Sequence, residues 1–480
     1  MNTRTVRPVA RLTAKRSKAP ALAAVIARPA APPTEGLRLL PARSGDHLAI
    51  HRLLLATFHG PSPAEFQAQT DAPGYDPADR LVVKDGEELA AHLRLSRATI
   101  HFGPATVGAA SIMDLATAPE YRGRGLASAL LEAAERRASE LSIPLGLVRT
   151  RVPSLFVRQG WAVCGRHVFS TAGARGVLAQ LGSTAEGNLL EEADDNAHCL
   201  LRVERPAIVI RPLRRIELPA AMRLYAQALP SRFGSPVRSE EFWEWLVNRG
   251  ACDQMYVAAE GPEPVEFARQ AAAIRGCVFV HEGRMVELLV EPGRDDVARR
   301  LVARVCADAS EMNQWQVRLD APPDDLLHGL FGAAGGQVRQ AEELASEVFM
   351  AKVFDLPALL GRLEGVLAER ARVAGLPRPV ELGLEIQGAP HAGRTHSTPV
   401  ERLKLTVGNW GTRLAAEPLG RHYLSLRKRD VAPLVLGHWN LPDLIDAGRI
   451  RASTKTARQV GRVLFPKLPW WRPPLDDLLS

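Results

Sequence analysis

One stretch constrains the whole chain: Met113-Asp114-Leu115-Ala116-Thr117-Ala118-Pro119-Glu120-Tyr121-Arg122-Gly123-Arg124-Gly125-Leu126-Ala127-Ser128. It reads as a buried strand, a basic glycine turn and the start of a helix. The helix continues to about Leu141, with Leu126, Leu130, Leu131, Ala134, Ala138 and Leu141 along one apolar stripe. Gly123 and Gly125 let the backbone turn with its amide hydrogens converging, and the helix adds the positive end of its dipole. Such a turn is an anion cradle whose usual occupant is a phosphate or pyrophosphate. A glycine turn of this kind is as often purely structural. No Lys-Ser/Thr pair follows the glycines and no GxGxxG is present, which removes the commoner nucleotide cradles.

At 480 residues the chain is long enough for two to four domains, and its 46% hydrophobic content is that of an ordinary globular protein. No apolar run approaches the ~20 residues of a membrane span. Cys164, Cys199, Cys252, Cys277 and Cys306 are scattered and never in CxxC spacing, which predicts buried, reduced thiols in a cytoplasmic protein. The net charge of +8 suggests nucleic acid, but residues 1–34 alone hold Arg4, Arg7, Arg11, Lys15, Arg16, Lys18 and Arg28 without one acid. That tail reads as a disordered extension, with a targeting peptide or a nucleic-acid- or membrane-touching arm as alternatives. No nucleic-acid partner is expected. The thirteen histidines suggest no ligand set, so no metal is expected, and no GxSxG elbow supports a serine hydrolase.

The segment around the cradle has a clear order. A strand at Leu37–Ala42 precedes a helix at Ser44–Phe58, and residues 59–79 read as a loop or broken helix. A hairpin turning at Asp85-Gly86 and a strand pair from Thr99 to Thr117 lead into the cradle. Ile143–Thr150 (strand), Ser154–Gln159 (helix) and Trp161–Phe169 (strand) follow. Arg122-x-x-Gly125-x-Ala127 after an apolar strand resembles the pyrophosphate loop of the GNAT N-acetyltransferases. Leu155-Phe156-Val157-Arg158-Gln159-Gly160-Trp161 resembles that family's second signature, an aromatic residue four places before Gly-Phe/Trp. The cofactor of that family is acetyl-CoA.

A polar connector (183–206) precedes a second run of the same order. Strands are expected at Ile208–Leu213, Met255–Ala259, Ala271–Val280, Met285–Val290 and Gln316–Leu319, and helices at Ile216–Leu229, Glu240–Val247 and Asp295–Met312. Where its cradle should be stands Glu291-Pro292-Gly293-Arg294-Asp295-Asp296, whose aspartates would cap the helix and repel a pyrophosphate. From 355 onward an α+β order ending in Pro466-Lys467-Leu468-Pro469-Trp470-Trp471 is similar to a sterol-carrier (SCP2-like) domain. The tryptophans at 243, 245, 470 and 471 are expected in cores or interfaces. The division expected is a basic tail (1–34), a GNAT domain (35–182), a linker (183–206), a degenerate GNAT-like domain (207–354) and an SCP2-like domain (355–480). The fold class is α/β, mixed-sheet GNAT folds in tandem with a C-terminal α+β domain. That order resembles the Eis-type acetyltransferases, which acetylate amines of aminoglycosides or lysines and assemble as hexamers.

The resemblance carries roles onto particular residues. Leu115, Ala116 and Thr117 would pair with the pantetheine arm and polarise the thioester carbonyl. Gly123, Arg124, Gly125, Leu126, Ala127 and Ser128 would wrap the pyrophosphate, Arg122 would add charge, and Arg151 and Val152 would flank the pantetheine. Amine acylation also needs a base for an ammonium with pKa near ~10 and benefits from an acid for a thiolate near ~8.5. The family's acid tyrosine position is Phe156 here, which has no proton to give. Its base, the chain's own C-terminal carboxylate, would be on Ser480, with Asp114 as a substitute. Asp114 reads more simply as a structural partner, and His167 as an exposed strand residue. The expected activity is N-acetyl transfer to a primary amine of a small molecule or lysine. The alternatives are a non-catalytic CoA sensor and a lipid-binding protein.

Overall fold

The computed structural model describes residues 36–183, 208–250, 252–261, 273–340, 348–388, 400–408 and 411–477. The basic tail, Cys199 and Ser480, and all but Ser183 of the expected linker, lie outside them. The chain begins with β1 (Leu37–Pro41), α1 (His47–Phe58) and α2 (Pro63–Thr70). β2 (Arg80–Asp85), β3 (Glu88–Phe102) and β4 (Ala105–Thr117) form a meander, and α3 (Leu126–Glu140), β5 (Leu145–Thr150), α4 (Pro153–Arg158) and β6 (Ala162–Arg166) follow. Residues 59–79 are more ordered than expected. Ser62 Oγ accepts from the Glu65 amide, Glu65 accepts from the Ser62 amide, and Pro63 opens the helix, a reciprocal capping box.

The stretch expected as one strand, Trp161–Phe169, breaks at His167. β6 stays in the first sheet, whereas β7 (Val168–Gly173) crosses into a second sheet. A helix over 174–183, α5, continues from it. The second sheet then gains β8 (Ile208–Pro212), β10 (Gln254–Glu260), β11 (Ala273–His281), β12 (Arg284–Val290), β13 (Gln316–Asp320) and β14 (Gln337–Gln340). Between these strands run α6 (Leu218–Ala228), α7 (Glu240–Asn248), α8 (Asp295–Glu311) and α9 (Leu327–Ala333), while β9 (Phe233–Pro236) pairs with β3 of the first sheet. β15 (Val348–Val353) returns the exchange by entering the first sheet between β5 and β6. The order of the first sheet is therefore β1-β2-β3-β4-β5-β15-β6, and that of the second β14-β7-β13-β12-β11-β10-β8.

Two helices, α10 (Leu356–Arg362) and α11 (Glu364–Val373), open the third unit. Its sheet comprises β16 (Val380–Gln387), β17 (Val400–Val407), β18 (Thr412–Ala415), β19 (Tyr423–Arg427) and β20 (Arg451–Ala452), in the order β18-β17-β16-β19-β20. α12 (Lys428–Val435), α13 (Leu441–Asp446) and α14 (Lys455–Leu464) pack with it. Each face of the first sheet has its own cover. Ala110, Ile112 and Val148 meet Leu130 and Ala134 of α3, while Ala109, Leu145 and Leu147 join the core of the third unit. The alternation of strand side chains produces this division. Among the described residues no helix is long and apolar enough to cross a membrane.

Candidate functional site

β4 and β5 run parallel, but their pairing ends at Ile112↔Val148. Beyond that point β4 continues through Met113–Thr117, paired only to β3, and β5 continues to Thr150. A wedge therefore opens between the two strands. Its β4 side is shaped by a bulge in which Asp114 and Leu115 oppose the single residue Leu93, and Asp114 takes φ 52°. A non-glycine residue in the left-handed region needs support from its surroundings. Asp114 has it. The His92 Nδ1–H donates to its carbonyl at 2.9 Å, and Arg94 Nε donates to its carboxylate at 2.8 Å, with Arg80 at 3.6 Å.

These contacts set the electrostatics of the bulge. Burial would raise the Asp114 carboxyl, but Arg94 and Arg80 outweigh it and hold the group below its ordinary range. Burial, and after it the charge of Arg80, pushes His92 down to about 3. Asp114 is a committed ion-pair partner, so it is poorly suited to the substitute-base role. Arg80, itself fully buried, donates to Tyr75 Oη and Gln69 Oε1, tying β2 to α2 and the segment after it.

The cradle follows at once. Gly123 (φ 77°) and Gly125 (φ 80°) take the left-handed conformation, and Gly125 is the N-cap of α3. Having no side chain, it leaves the first-turn amides of Leu126, Ala127 and Ser128 without a side-chain cap. Arg122, Gly123, Arg124 and Gly125 are exposed. Arg122 Nε is held by the Thr117 carbonyl at 3.2 Å, and Arg124 lies over the Tyr121 ring at 5.0 Å. Tyr121 Oη donates towards Asp85 and Glu88, fastening the loop to the hairpin turn. The arrangement fits a pyrophosphate: converging amides, a positive helix end and two flanking guanidiniums.

On the facing strand, Arg151 and Val152 are exposed just past β5, and the Val152 amide donates to Thr150 Oγ1. Phe156 is 3% exposed and packs edge-on against Trp161, with centroids 5.8 Å apart. The C-terminal segment also approaches the wedge, since Arg472 Nη1 donates to Ser111 Oγ at 3.1 Å, one residue before the strands part. Ser480 lies three residues past the last described position. Trp470 is buried and Trp471 donates its amide to the Phe233 carbonyl. Trp243 is buried in the second core, and Trp245 Nε1 reaches the Ala68 carbonyl on α2.

Several expectations are corrected. His167 is buried, not exposed, and its Nε2 meets Asp320 Oδ1 at 2.6 Å. Burial lowers its pKa despite that carboxylate. In the second unit Arg294, not an aspartate, is the α8 N-cap, and Asp295 and Asp296 sit in the first turn. Asp296 is paired with Arg294, so an internal carboxylate occupies the position where the first unit offers open amides. His47 and His51 stand one turn apart on α1, a spacing that the sequence reading passed over. Their rings go instead to Tyr75 Oη and the Pro61 carbonyl, and no group of three metal-ligating side chains exists among the described residues. Two cavities, of about 360 and 390 Å3, lie on the second sheet and between α6 and β3, away from the cradle. An edge that binds through backbone amides need not be a deep pocket.

Residues 38–164, which contain the wedge and the cradle, match the acetyltransferase (GNAT) domain family. No curated protein matches the chain. The chain is similar in structure to a GCN5-related N-acetyltransferase from Kribbella flavida, with TM-score 0.64 and 19% identity over 91% of this chain and 97% of that one. It is similar to a GCN5-related N-acetyltransferase from Anabaena variabilis, with TM-score 0.65 and 16% identity over 91% and 99%. A further similar structure is Eis1 from Mycobacterium abscessus, with TM-score 0.59 and 15% identity over 91% and 99%. At these identities the likeness is one of fold. The family match over residues 38–164 supports acyl transfer as the general class of activity.

Proposed function

We propose that the chain is an N-acetyltransferase that takes acetyl-CoA as its donor and a primary amine as its acceptor. The observation that carries this reading is the wedge beyond Ile112↔Val148, with the Gly125-capped helix beginning at its end. Leu115, Ala116 and Thr117 present the open strand edge to the pantetheine and polarise the thioester carbonyl. Arg122, Gly123, Arg124, Gly125, Leu126, Ala127 and Ser128 hold the pyrophosphate, and Arg151 and Val152 close the other side. Holding the thioester against the amine supplies most of the catalysis, because proximity and carbonyl polarisation do not require a side-chain acid.

The acceptor would enter where three units meet, beside α2, α7 and the C-terminal segment. Contacts from Trp245 to Ala68 and from Arg249 to the Leu475 carbonyl support that placement. The terminal carboxylate of Ser480 is proposed as base, because Arg472 and Asp476 anchor the segment that leads to it. The third unit is read as SCP2-like and the chain as a cytoplasmic homo-oligomer, a hexamer by resemblance. Calorimetric titration with acetyl-CoA tests the proposal: one site per chain, followed by CoA release with an amine, supports it. Absence of binding overturns it. Phe156 favours a second reading, a CoA sensor without turnover, which predicts binding but no CoA release with any amine.

A further inference from the structure

The two sheets treat equivalent faces differently. In the first, the face formed by β4, β5, β15 and β6 carries Ala109, Leu147, Ala351 and Cys164 and is covered by the third unit. In the second, α6 and the C-terminal segment cover β12 further along, but the start of β12 with β13 and β7 forms a cavity of about 360 Å3. Its lining includes Phe169, Thr171, Arg284, Val317 and Arg318, with Glu282 and Gly283 at the turn. A sheet face left without an apolar cover and supplied with guanidiniums is built for a polar occupant.

Two guanidiniums share one buried carboxylate there. Arg318 donates through Nε and Nη2 to Asp320 Oδ1 at 2.9 and 2.8 Å, and Arg284 reaches Oδ2 through two bonds of 3.3 Å. Arg149 lies behind them, donating to His167 Nδ1 at 3.5 Å, while His167 Nε2 donates to the same aspartate. Arg284 and Arg318 thus converge on one fully buried carboxylate that His167 also engages, and the acid lining the cavity itself is the exposed Glu282. Arg318 also stacks on Phe169 at 3.7 Å, which fixes its guanidinium plane. Asp320 orients both cavity arginines from one side and leaves N–H groups of each for a ligand on the other.

We propose that this cavity, formed by strands from both halves of the tandem, is a binding site for a small-molecule oxyanion, a phosphate or carboxylate gripped by Arg284 and Arg318. The site is independent of the cradle and of acyl transfer. It is tested by melting the full chain in inorganic phosphate, or in malonate, against chloride at constant ionic strength. The expected result is a saturable rise in melting temperature in the wild type and in Gly125→Glu, with the half-saturating concentration raised roughly ten-fold or more in Arg318→Gln and Arg284→Gln. Should Arg318→Gln fail to fold, Arg284→Gln, whose guanidinium is more loosely held, carries the test. The anion with the lower half-saturation identifies the source. A rise lost in Gly125→Glu and unchanged in both arginine variants places the phosphate at the cradle and overturns the proposal. No rise with either anion also overturns it, as does a change of particle mass in the arginine variants without any anion response, which would make the face a contact between copies.

Discussion

The guanidinium of Arg238 clasps the carboxylate of Asp476 with Nε to Oδ1 at 2.9 Å and Nη2 to Oδ2 at 2.7 Å, joining the second unit to the end of the chain. Its Nη1 donates to Glu287 at 2.7 Å, and its guanidinium carbon lies 4.3 and 4.6 Å from the ring centroids of Tyr225 and Trp243. All three charged groups are buried. Arg238→Met strands the buried Asp476 and leaves Glu287 only its 3.3 Å contact with Arg232, so a loss of about 3–5 kcal/mol is expected in urea unfolding. Asp476→Asn should chiefly loosen the terminal segment and speed its proteolysis. A wild-type midpoint in Arg238→Met would show that the clasp contributes nothing.

Gly125→Glu tests the cradle. A side chain at φ 80° costs about 1–2 kcal/mol, and the new carboxylate faces the amides that an anion would use. Acetyl-CoA affinity should fall by roughly a hundredfold or more while circular dichroism stays unchanged. Undiminished binding would move the cofactor site elsewhere.

Phe156→Tyr separates turnover from sensing. A phenol at this position would supply the missing acid, and general acid catalysis contributes roughly 10²–10⁴-fold where the proton is well placed. Because Phe156 is packed against Trp161, a gain in kcat nearer ten-fold is expected. Unchanged kcat in an active enzyme would mean that water already protonates the leaving thiolate.

Acid should weaken the fold through the bulge. His92 titrates near 6.5 when unfolded and is pushed down to about 3 when folded, so below pH 6.5 the unfolded chain binds a proton that the native chain refuses. Stability is intact above that pH and falls as pH drops, by up to about 1.4 kcal/mol per unit from this residue. His167 and the lowered carboxyls of Asp114 and Asp320 act in the same direction. Unfolding free energies between pH 7 and 4.5 should show a shallower slope in His92→Gln; an equal slope would remove His92 from the account.

Gly146 is needed where the exchanged strand packs. A Cβ there would fall 2.3 Å from Phe354 Cζ and 2.7 Å from Trp161 Cη2. Gly146→Ala should cost about 1–3 kcal/mol by overpacking, measured as a lower urea midpoint. A neutral result would mean that the aromatic pair shifts freely.

Hydrophobic period and glycine placement specify most of the local elements and the turn before α3. Period-two and helical patterns placed most strands and helices of the first two units within a few residues but gave no sign of α5, β9, α9, β14 or β15, and Gly123 and Gly125 announced a positive-φ turn because few other residues tolerate one. Even α2 was legible in Ser62, Pro63 and Glu65, although the surrounding prolines and glycines masked it. Which strand lies beside which is settled in the folded chain. Alternation tells a strand which face to bury but not whose edge to pair with, so nothing local separates β6 from β7 or brings β15 between β5 and β6. The same limit hid His167, Arg238 and Asp320. A polar side chain is buried only when distant partners compensate its desolvation, and those partners, Asp320 for His167 and Asp476 for Arg238, come together only when the chain closes on itself.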